Sequence, residues 1–467
     1  VPASAPAADS FRNRRVTVMG LGRFGGGVGV ARWLVGQGAK VTISDKESPE
    51  SLAKSVAQLG DLDVSLHLGG HAEADFRQTD LVVVNPAVPD TSPFLAAARD
   101  ARVPVTTEIN LFVQRCRGRT VGVTGSVGKS TIAAMTAHVL ERAAAARRVW
   151  LGGNIGRSLL DALPEIDERD VVVLELSSFQ LQRSPAVGWS PHVAVISNVT
   201  PNHLDWHGTF AAYLAAKLNI VRFQDPARDA IVIEDAPELR QNFDLLFGDV
   251  AGVWRYGVDG AAAPQAVLQS TSAVDCDDRR LRWDGVELSV PGRHNRVNAA
   301  AALTAAHVLG ADSQQAVEAI KTFAALPHRL QRVATVAGVT WFDDSKSTTP
   351  EAAITAMNAI DGPLLLILGG YDKKSDLTPV AQLAARRARF AACIGQTGEA
   401  LVQAVQAAGG QAEYCGDLPR AVVECRRRAC PGDAVLLSPA CASWGQFEDY
   451  RARGELFARL AKGSAVD

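Results

Sequence analysis

The sequence predicts an α/β protein built in three blocks, on three observations. Short apolar runs such as Val171–Leu174 and Leu364–Leu368 have the length of strands buried on both faces, and Ala-rich helical stretches alternate with them along almost the whole chain. A strand, a glycine loop and a helix follow one another twice, around Gly20–Gly25 and Gly125–Ser130. At 467 residues the chain has room for about three domains of roughly 150 residues each.

The first block opens with a strand at Val16–Met19, then Gly20-Leu21-Gly22-Arg23-Phe24-Gly25, a helix through Trp33 and a strand at Val41–Ser44. It closes near the amphipathic stretch Glu108–Val113. The second opens with Val121–Val123, a glycine loop and a helix through Val139. It continues with strands at Val171–Leu174, Val193–Ile196 and Ile231–Ile233, and ends in two Ala-rich helices reaching about Phe323. Pro327-His328-Arg329 then reads as a linker. The third starts with Val333–Asp343, where Ala337-Gly338 suggests a hairpin turn, and carries strands at Leu364–Leu368, Phe390–Ile394 and Ala434–Leu437. The expected division is residues 1–112, 113–326 and 327–467.

Composition narrows the function classes. Hydrophobic residues make up 47% and charged residues 21%, which excludes a disordered or fibrous chain. Lys+Arg 48 against Asp+Glu 50 leaves no basic excess for a nucleic-acid backbone. Seven cysteines without a CxxC pair fit reduced thiols in a cytoplasm better than a disulfide framework or a zinc site. The first ten residues lack the order of a signal peptide, and no run of 18 apolar residues occurs. A soluble, cytoplasmic monomer that binds neither nucleic acid nor membrane is expected.

Gly125-Ser126-Val127-Gly128-Lys129-Ser130-Thr131 lies between a strand and a helix. Successive backbone N–H groups there form a concave anion site, Lys129 reaches the β- and γ-phosphates, and the Ser130 hydroxyl sits on Mg²⁺. Val123 holds the place where the strict phosphate-loop pattern has Gly. The earlier loop, with Asp45 at the end of the next strand, matches a dinucleotide fingerprint. Its physical content is a diphosphate at a helix N-terminus and an acid near a ribose, which a UDP-sugar meets as well as NAD.

Further candidates stand at strand ends. Glu175 closes the buried run Val171–Leu174 and is a metal candidate or a structural acid. His203, in Asn202-His203-Leu204-Asp205, either ligates a second metal or caps a loop. Lys217, on a helix among apolar neighbours, is either a snorkelling lysine or one with a lowered pKa that reacts with CO₂ to give an anionic carbamate ligand. Asp343–Pro350, Gly369–Asp376 and Ser438–Phe447 each follow an apolar strand, where open α/β sheets place ligands.

Assembled, these motifs resemble the Mur ligases over nearly the whole chain from about Val16, in the family's order. Thr124–Ser130 resembles the family's ATP loop, which also lacks the first Gly. Gly152-Gly153-Asn154-Ile155-Gly156, Glu175–Leu181, His294–Asn298 and Pro327-His328-Arg329 match as well. Glu-Leu-Ser-Ser-Phe-Gln at Glu175–Gln180 and Asp344-Ser345-Lys346-Ser347-Thr348 point to the branch that adds D-glutamate.

The resemblance implies a Rossmann-like UDP-substrate domain, a central phosphate-loop ATPase domain with a mostly parallel sheet, and a C-terminal Rossmann-like amino-acid-binding domain. It implies ATP, two Mg²⁺ ions and a carbamylated Lys217, with UDP-N-acetylmuramoyl-L-alanine and D-glutamate as substrates. In the ATP site it places Gly125, Ser126, Val127, Gly128, Lys129, Ser130, Thr131, Asn295, Arg329 and Asp344. Ser130, Glu175, His203 and Lys217 would hold metal, with Lys129, Glu175, His203 and Lys217 catalytic. Asn154, Ser177 and Gln180 would touch the muramoyl group, and Thr348, Lys373, Ser443 and Tyr450 would touch D-glutamate. Gly22, Arg23, Phe24, Asp45 and Lys46 would hold UDP, although Asn85-Pro86-Ala87 and Asp45-Lys46-Glu47 depart from the family's commonest uridine loops. The implied reaction is a ligation through an acyl phosphate, shielded from water by a swinging third domain hinged at Pro327–Arg329.

Three rivals explain less. A folate polyglutamate ligase has no reason for the first block, and an NAD oxidoreductase leaves the second glycine loop unused. A GTP-driven switch would carry an Asn-Lys-x-Asp guanine reader, which is missing.

Overall fold

Parallel strand pairing dominates all three sheets of the computed structural model. The structure describes residues 11–22, 26–156, 158–234, 252–257, 280–282, 286 and 288–463. Two units separate, Val1–Asp284 with Ala300–Val317, and Gly285–Ala299 with Glu318–Asp467.

The first unit begins with β1 (Arg15–Met19), α1 (Gly26–Gly36), β2 (Lys40–Asp45), α2 (Ala53–Leu59), β3 (Val64–Leu68), α3 (Ala74–Arg77), β4 (Leu81–Val84), α4 (Pro93–Asp100) and β5 (Val105–Thr106). Their sheet is parallel in the order β3-β2-β1-β4-β5. The order reverses at β1, so the loop after β1 faces the loop after β4 at the carboxyl ends of the strands. There Gly20, at φ 95°, leaves no room for a Cβ, which would lie 2.9 Å from Asn85 Cβ.

After α5 (Glu108–Val113) come β6 (Arg119–Thr124), α6 (Lys129–Arg142), β7 (Val149–Gly153), β8 (Val171–Glu175), α7 (Ser178–Arg183), β9 (Val193–Ile196), α8 (Leu204–His207), α9 (Phe210–Leu218), β10 (Ala230–Glu234), β11 (Val253–Gly257) and β12 (Arg280–Arg282). The second sheet runs β12-β11-β10-β9-β6-β8-β7, with every pairing among the described residues parallel. β6 is central, and its end feeds the Gly125 loop. Val18 and Ile43 of one sheet and Leu174 and Ile196 of the other belong to a single buried cluster.

Two helices, α10 (Arg293–Val308) and α11 (Ser313–Lys321), are divided between the units. The second unit continues with β13 (Gln331–Val336), β14 (Val339–Asp343), α12 (Pro350–Ala359), β15 (Leu364–Gly369), α13 (Thr378–Arg387), β16 (Ala388–Ile394), α14 (Gly398–Ala407), β17 (Ala412–Gly416), α15 (Leu418–Arg428), β18 (Ala434–Leu437) and α16 (Tyr450–Ala461). The order is β13-β14-β18-β15-β16-β17, parallel except for the β13–β14 hairpin. Ala337 and Gly338, both at positive φ, form its two-residue turn. Alternate residues of Leu364–Leu368 enter opposite cores, Leu364, Leu366 and Leu368 on one face and Leu365 and Ile367 on the other. That two-sided burial is why the run carries no polar alternation.

The strands read from Val16, Val41, Val121, Val171, Val193, Ile231, Leu364, Phe390 and Ala434 all form. Unread were β3, β5, β7, β11, β12 and β17, most of them toward sheet edges, together with β4. Among the described residues no helix is long and apolar enough to cross a membrane.

Gly153 shows how tightly β7 and β8 end together. Its φ is 89°, and a Cβ would lie 2.2 Å from the Glu175 carbonyl oxygen. Gly188, at φ 58°, has nothing within 4 Å. Gly188→Ala should cost about 1 kcal/mol, and Gly153→Ala about 3 kcal/mol or more. Shifts in urea unfolding midpoint check this; equal losses would contradict the close approach.

Candidate active site

Glycine geometry shapes the phosphate loop. Gly125 sits at φ 150° where a Cβ would lie 1.9 Å from Ser197 Oγ, and Gly128, at φ 88°, caps α6. The segment after β9 staples the loop. The Ser126 N–H donates to Asn198 O at 2.7 Å and the Val127 N–H to Asn198 Oδ1 at 2.9 Å. Ser197 Oγ donates to Val127 O at 2.9 Å. Ser126 Oγ donates to Thr200 O at 2.8 Å and lies 2.9 Å from the Tyr213 hydroxyl.

A hydroxyl–carboxylate pair lies beside it. Ser130 Oγ donates to Glu175 Oε2 at 2.7 Å, and Asn154 Nδ2 donates to Glu175 Oε1 at 3.1 Å. Glu175 is only 2% exposed. Hard oxygen donors of this kind suit Mg²⁺, which keeps most of its water and needs few protein ligands. Among the described residues no three His, Cys, Asp or Glu side chains form a metal-holding group.

Two lysine amines converge on one oxygen. Lys129 Nζ donates to Gly125 O at 3.0 Å and Lys217 Nζ to the same carbonyl at 2.7 Å. Lys217 is 2% exposed, with its amine 4.7 Å from the Tyr213 ring centroid. Burial, then repulsion from Lys129, pushes its pKa down to about 6, against the pull of Glu175. Its amine is therefore largely neutral at pH 7, the form that attacks CO₂. The snorkelling alternative fails, since the head group is buried.

His203, in the left-handed region at φ 52°, stands at the start of α8 with its ring 5.0 Å from Phe179. Burial and the charge of Lys129 lower its pKa. His207, which the sequence reading passed over, stacks on Phe179 and lies 3.0 Å from Ser178 Oγ. Its spacing of four from His203 was the available signal.

The remaining positions in this unit make mainly local bonds. Ser177 caps α7, and a capping box with Gln180 engages both side chains. Asp45 is buried and spends its oxygens on its own loops, accepting from the Gly22 N–H at 3.0 Å and the Glu47 N–H at 2.9 Å. It shapes the glycine loop, with Lys46 exposed beside it. Arg23 and Phe24 lie outside the described residues.

In the second unit the three polar loops leave β14, β15 and β18, which are adjacent, at their carboxyl ends. Asp344 accepts from the Leu330 N–H at 3.1 Å and Ser438 Oγ at 2.8 Å. Lys373 Nζ lies 5.1 Å from the Trp444 ring, next to the buried Ser443. The Tyr450 hydroxyl accepts from Lys346 Nζ at 2.9 Å, and Thr348, two residues further along the same loop, is half-buried. Asn295 donates to Pro291 O at 2.7 Å, and Arg329 exerts a charge on Asp344. Arg453, fully buried, ties two of the loops by donating to Ser345 O at 2.8 Å and Cys441 O at 3.2 Å. Nothing in its sequence setting marked it.

Residues 14–107, 123–306 and 328–441 match, in turn, the Mur ligase MurD-like N-terminal domain, the Mur ligase middle domain and the Mur ligase glutamate ligase domain. The chain belongs to the Mur ligase family. As a Mur ligase it is an ATP-dependent enzyme of amide-bond formation in peptidoglycan precursor synthesis.

Among its relatives, the UDP-N-acetylmuramoylalanine–D-glutamate ligase of Roseiflexus sp. is 37% identical over 466 residues, covering 96% of this chain and 98% of that one. The ligase of the same name from Symbiobacterium thermophilum is 35% identical over 470 residues, with the same coverage. Solved Mur ligases share the fold. Thermotoga maritima UDP-N-acetylmuramate-alanine ligase MurC gives a TM-score of 0.60 at 20% identity, covering 97% of this chain and 100% of that one. MurF ligase of the same organism, solved with ADP, gives 0.56 at 18% identity, covering 98% and 97%.

In this Mur ligase, burial raises the Asp344 carboxyl from 3.8 to about 7, against hydrogen bonds from Ser347, Ser438 and the Leu330 backbone. The folded protein keeps a proton that the unfolded chain releases, so this group's stabilisation is full below about pH 4 and is lost as pH rises through about 7. Asp344→Asn should flatten the decline of the thermal midpoint between about pH 4 and 8. Parallel curves would mean that Asp344 ionises at its ordinary pH in the folded state.

Proposed function

We propose that this Mur ligase joins D-glutamate to UDP-N-acetylmuramoyl-L-alanine in the cytoplasm, as a monomer, using ATP. The convergence of Lys129, Ser130, Glu175 and a neutral Lys217 on the phosphate loop carries the reading. Relatives named for this reaction and aligned over almost the whole chain support the choice of acceptor and amino acid. Residues 1–112 would hold UDP, 113–326 ATP, and 327–467 D-glutamate.

The alanyl carboxylate attacks the γ-phosphorus of ATP, the bond to the β-phosphate oxygen breaks, and ADP leaves an acyl phosphate. The D-glutamate amine attacks the carbonyl carbon, and inorganic phosphate departs as the amide forms. Two anions must meet in the first step, and Lys129, with the loop N–H groups that Asn198 does not take up, offsets their charge. Ser130 and Glu175 would hold one Mg²⁺, and His203 with a carbamylated Lys217 a second; bound there, the ions supply further positive charge to the phosphates. Carbamylation turns Lys217 from a competitor of Lys129 for Gly125 O into its counter-charge. Gly22, Arg23, Phe24, Asp45 and Lys46 would form the UDP end, Asn154, Ser177 and Gln180 the muramoyl wall, and Thr348, Lys373, Ser443 and Tyr450 the D-glutamate pocket. Asn295, Arg329 and Asp344 would complete the ATP site.

ADP release should require both UDP-N-acetylmuramoyl-L-alanine and D-glutamate, with L-glutamate inactive; release with other acceptors alone would overturn the assignment. Lys217→Ala should lose about a hundredfold or more in kcat, and short carboxylates should restore part of it. ¹³C-bicarbonate should give a carbamate resonance that disappears in Lys217→Ala and fades below about pH 6, where the amine protonates.

A further inference from the structure

One polar clamp ties the two sheets of the first unit. Arg183, the last residue of α7, donates through Nη2 to Val88 O and to Asp90 Oδ1, both at 2.7 Å, and through Nε to the same carboxylate oxygen at 3.2 Å. Gln182 Nε2 takes the other oxygen, Asp90 Oδ2, at 3.0 Å, while its Oε1 accepts from Trp206 Nε1 at 3.4 Å. Arg99 of α4 donates to the Asp90 carbonyl at 2.5 Å, and Asn110 Nδ2 of α5 donates to the Arg183 carbonyl at 2.9 Å. The Arg183 side chain is 12% exposed.

Both ends of this clamp run directly to the substrate path. Asp90 closes the loop that starts at Asn85, the residue packed on Gly20 and bonded to Met19 O at 2.9 Å. The Val88 N–H donates to Asn85 O at 3.0 Å, so that loop is tight. On the other side, α7 begins just beyond Glu175 and is about 9 Å long. The apolar core shared by the two sheets is interrupted beside the clamp. A cavity of about 240 Å³ lies between Leu95, Val103 and Val105 on one side and Ala186 on the other, with Asp90 and Arg183 at its wall.

We propose that Arg183 is a positioning residue that, at the open edge of the shared core, fine-tunes the span between the uridine-diphosphate end and the alanyl carboxylate end of the substrate; the inference rests on the function proposed above. The nucleotide sugar has a fixed reach. Anchored at the glycine loop, it delivers its carboxylate to the phosphate loop only if the two sheets keep their spacing, and a misplacement of about 1 Å costs up to about a hundredfold in rate. Arg183 suits the task because its planar fork reads a carbonyl and a carboxylate together, which a lysine cannot. A substrate without the uridylyl group loses the uridine and one of the two phosphates that fix it to the first sheet, and so depends far less on the span.

The test compares UDP-N-acetylmuramoyl-L-alanine with 1-phospho-N-acetylmuramoyl-L-alanine as acceptors. Arg183→Ala should lower kcat/KM for the full substrate about tenfold or more, and leave KM for ATP and kcat/KM for the truncated acceptor within about twofold. Asp90→Ala should show the same selective loss, and the double variant no further loss. Equal losses on both acceptors, no loss on either, or additive losses in the double variant would overturn the assignment. A parent enzyme that turns over neither acceptor would overturn the functional reading, and this one with it.

Discussion

A buried carboxylate at the end of a central strand is expensive to desolvate, and Glu175 is tolerated because two chain segments bring donors to it. Ser130 brings the start of α6 and Asn154 the end of β7, while the Glu175 carbonyl accepts the Asn154 N–H at 2.8 Å. The last contact is possible because Gly153 has no side chain. The phosphate loop, the glycine pair of β7 and the capped turn of α7 are thereby referenced to one acid. Lys129 and Lys217 gather on the Gly125 carbonyl within reach of its charge, which opposes the loss of the Lys217 proton without preventing it.

Much of this architecture was legible because burial on both faces leaves a plain mark. A strand such as Leu364–Leu368 has no choice but to be apolar throughout, and Gly338, at positive φ, marks the turn between two strand-forming runs. Edge strands lack that mark. Most of β3 faces solvent, and β17 reads Ala-Glu-Tyr-Cys-Gly, so neither shows the apolar run that betrays a central strand.

The candidate site was legible as motifs, less so as roles. An acid 20 residues after a glycine loop can face a ribose or its own backbone, and only the fold shows Asp45 accepting from Gly22 and Glu47. Ser177 and Gln180 carry the spacing of a capping box, a local signal that competes with any reading as ligand contacts. Arg453 was invisible because an arginine in a helix rich in charge looks solvated until its guanidinium is found on two loop carbonyls. Arg183, at the end of a short helix, likewise looks solvated until its guanidinium is found on Val88 O and Asp90.

The staples from Ser197, Asn198 and Thr200 bear on how quickly a nucleotide can be captured. A glycine loop without such bonds would sample many conformations and would have to surrender that freedom at the moment of encounter. Here the N–H groups of Ser126 and Val127 are already committed to Asn198, so the loop's shape is decided when the chain folds. Association is then governed by diffusion and charge rather than by a wait for the right loop conformer, and the ordering entropy is charged to folding instead of to affinity.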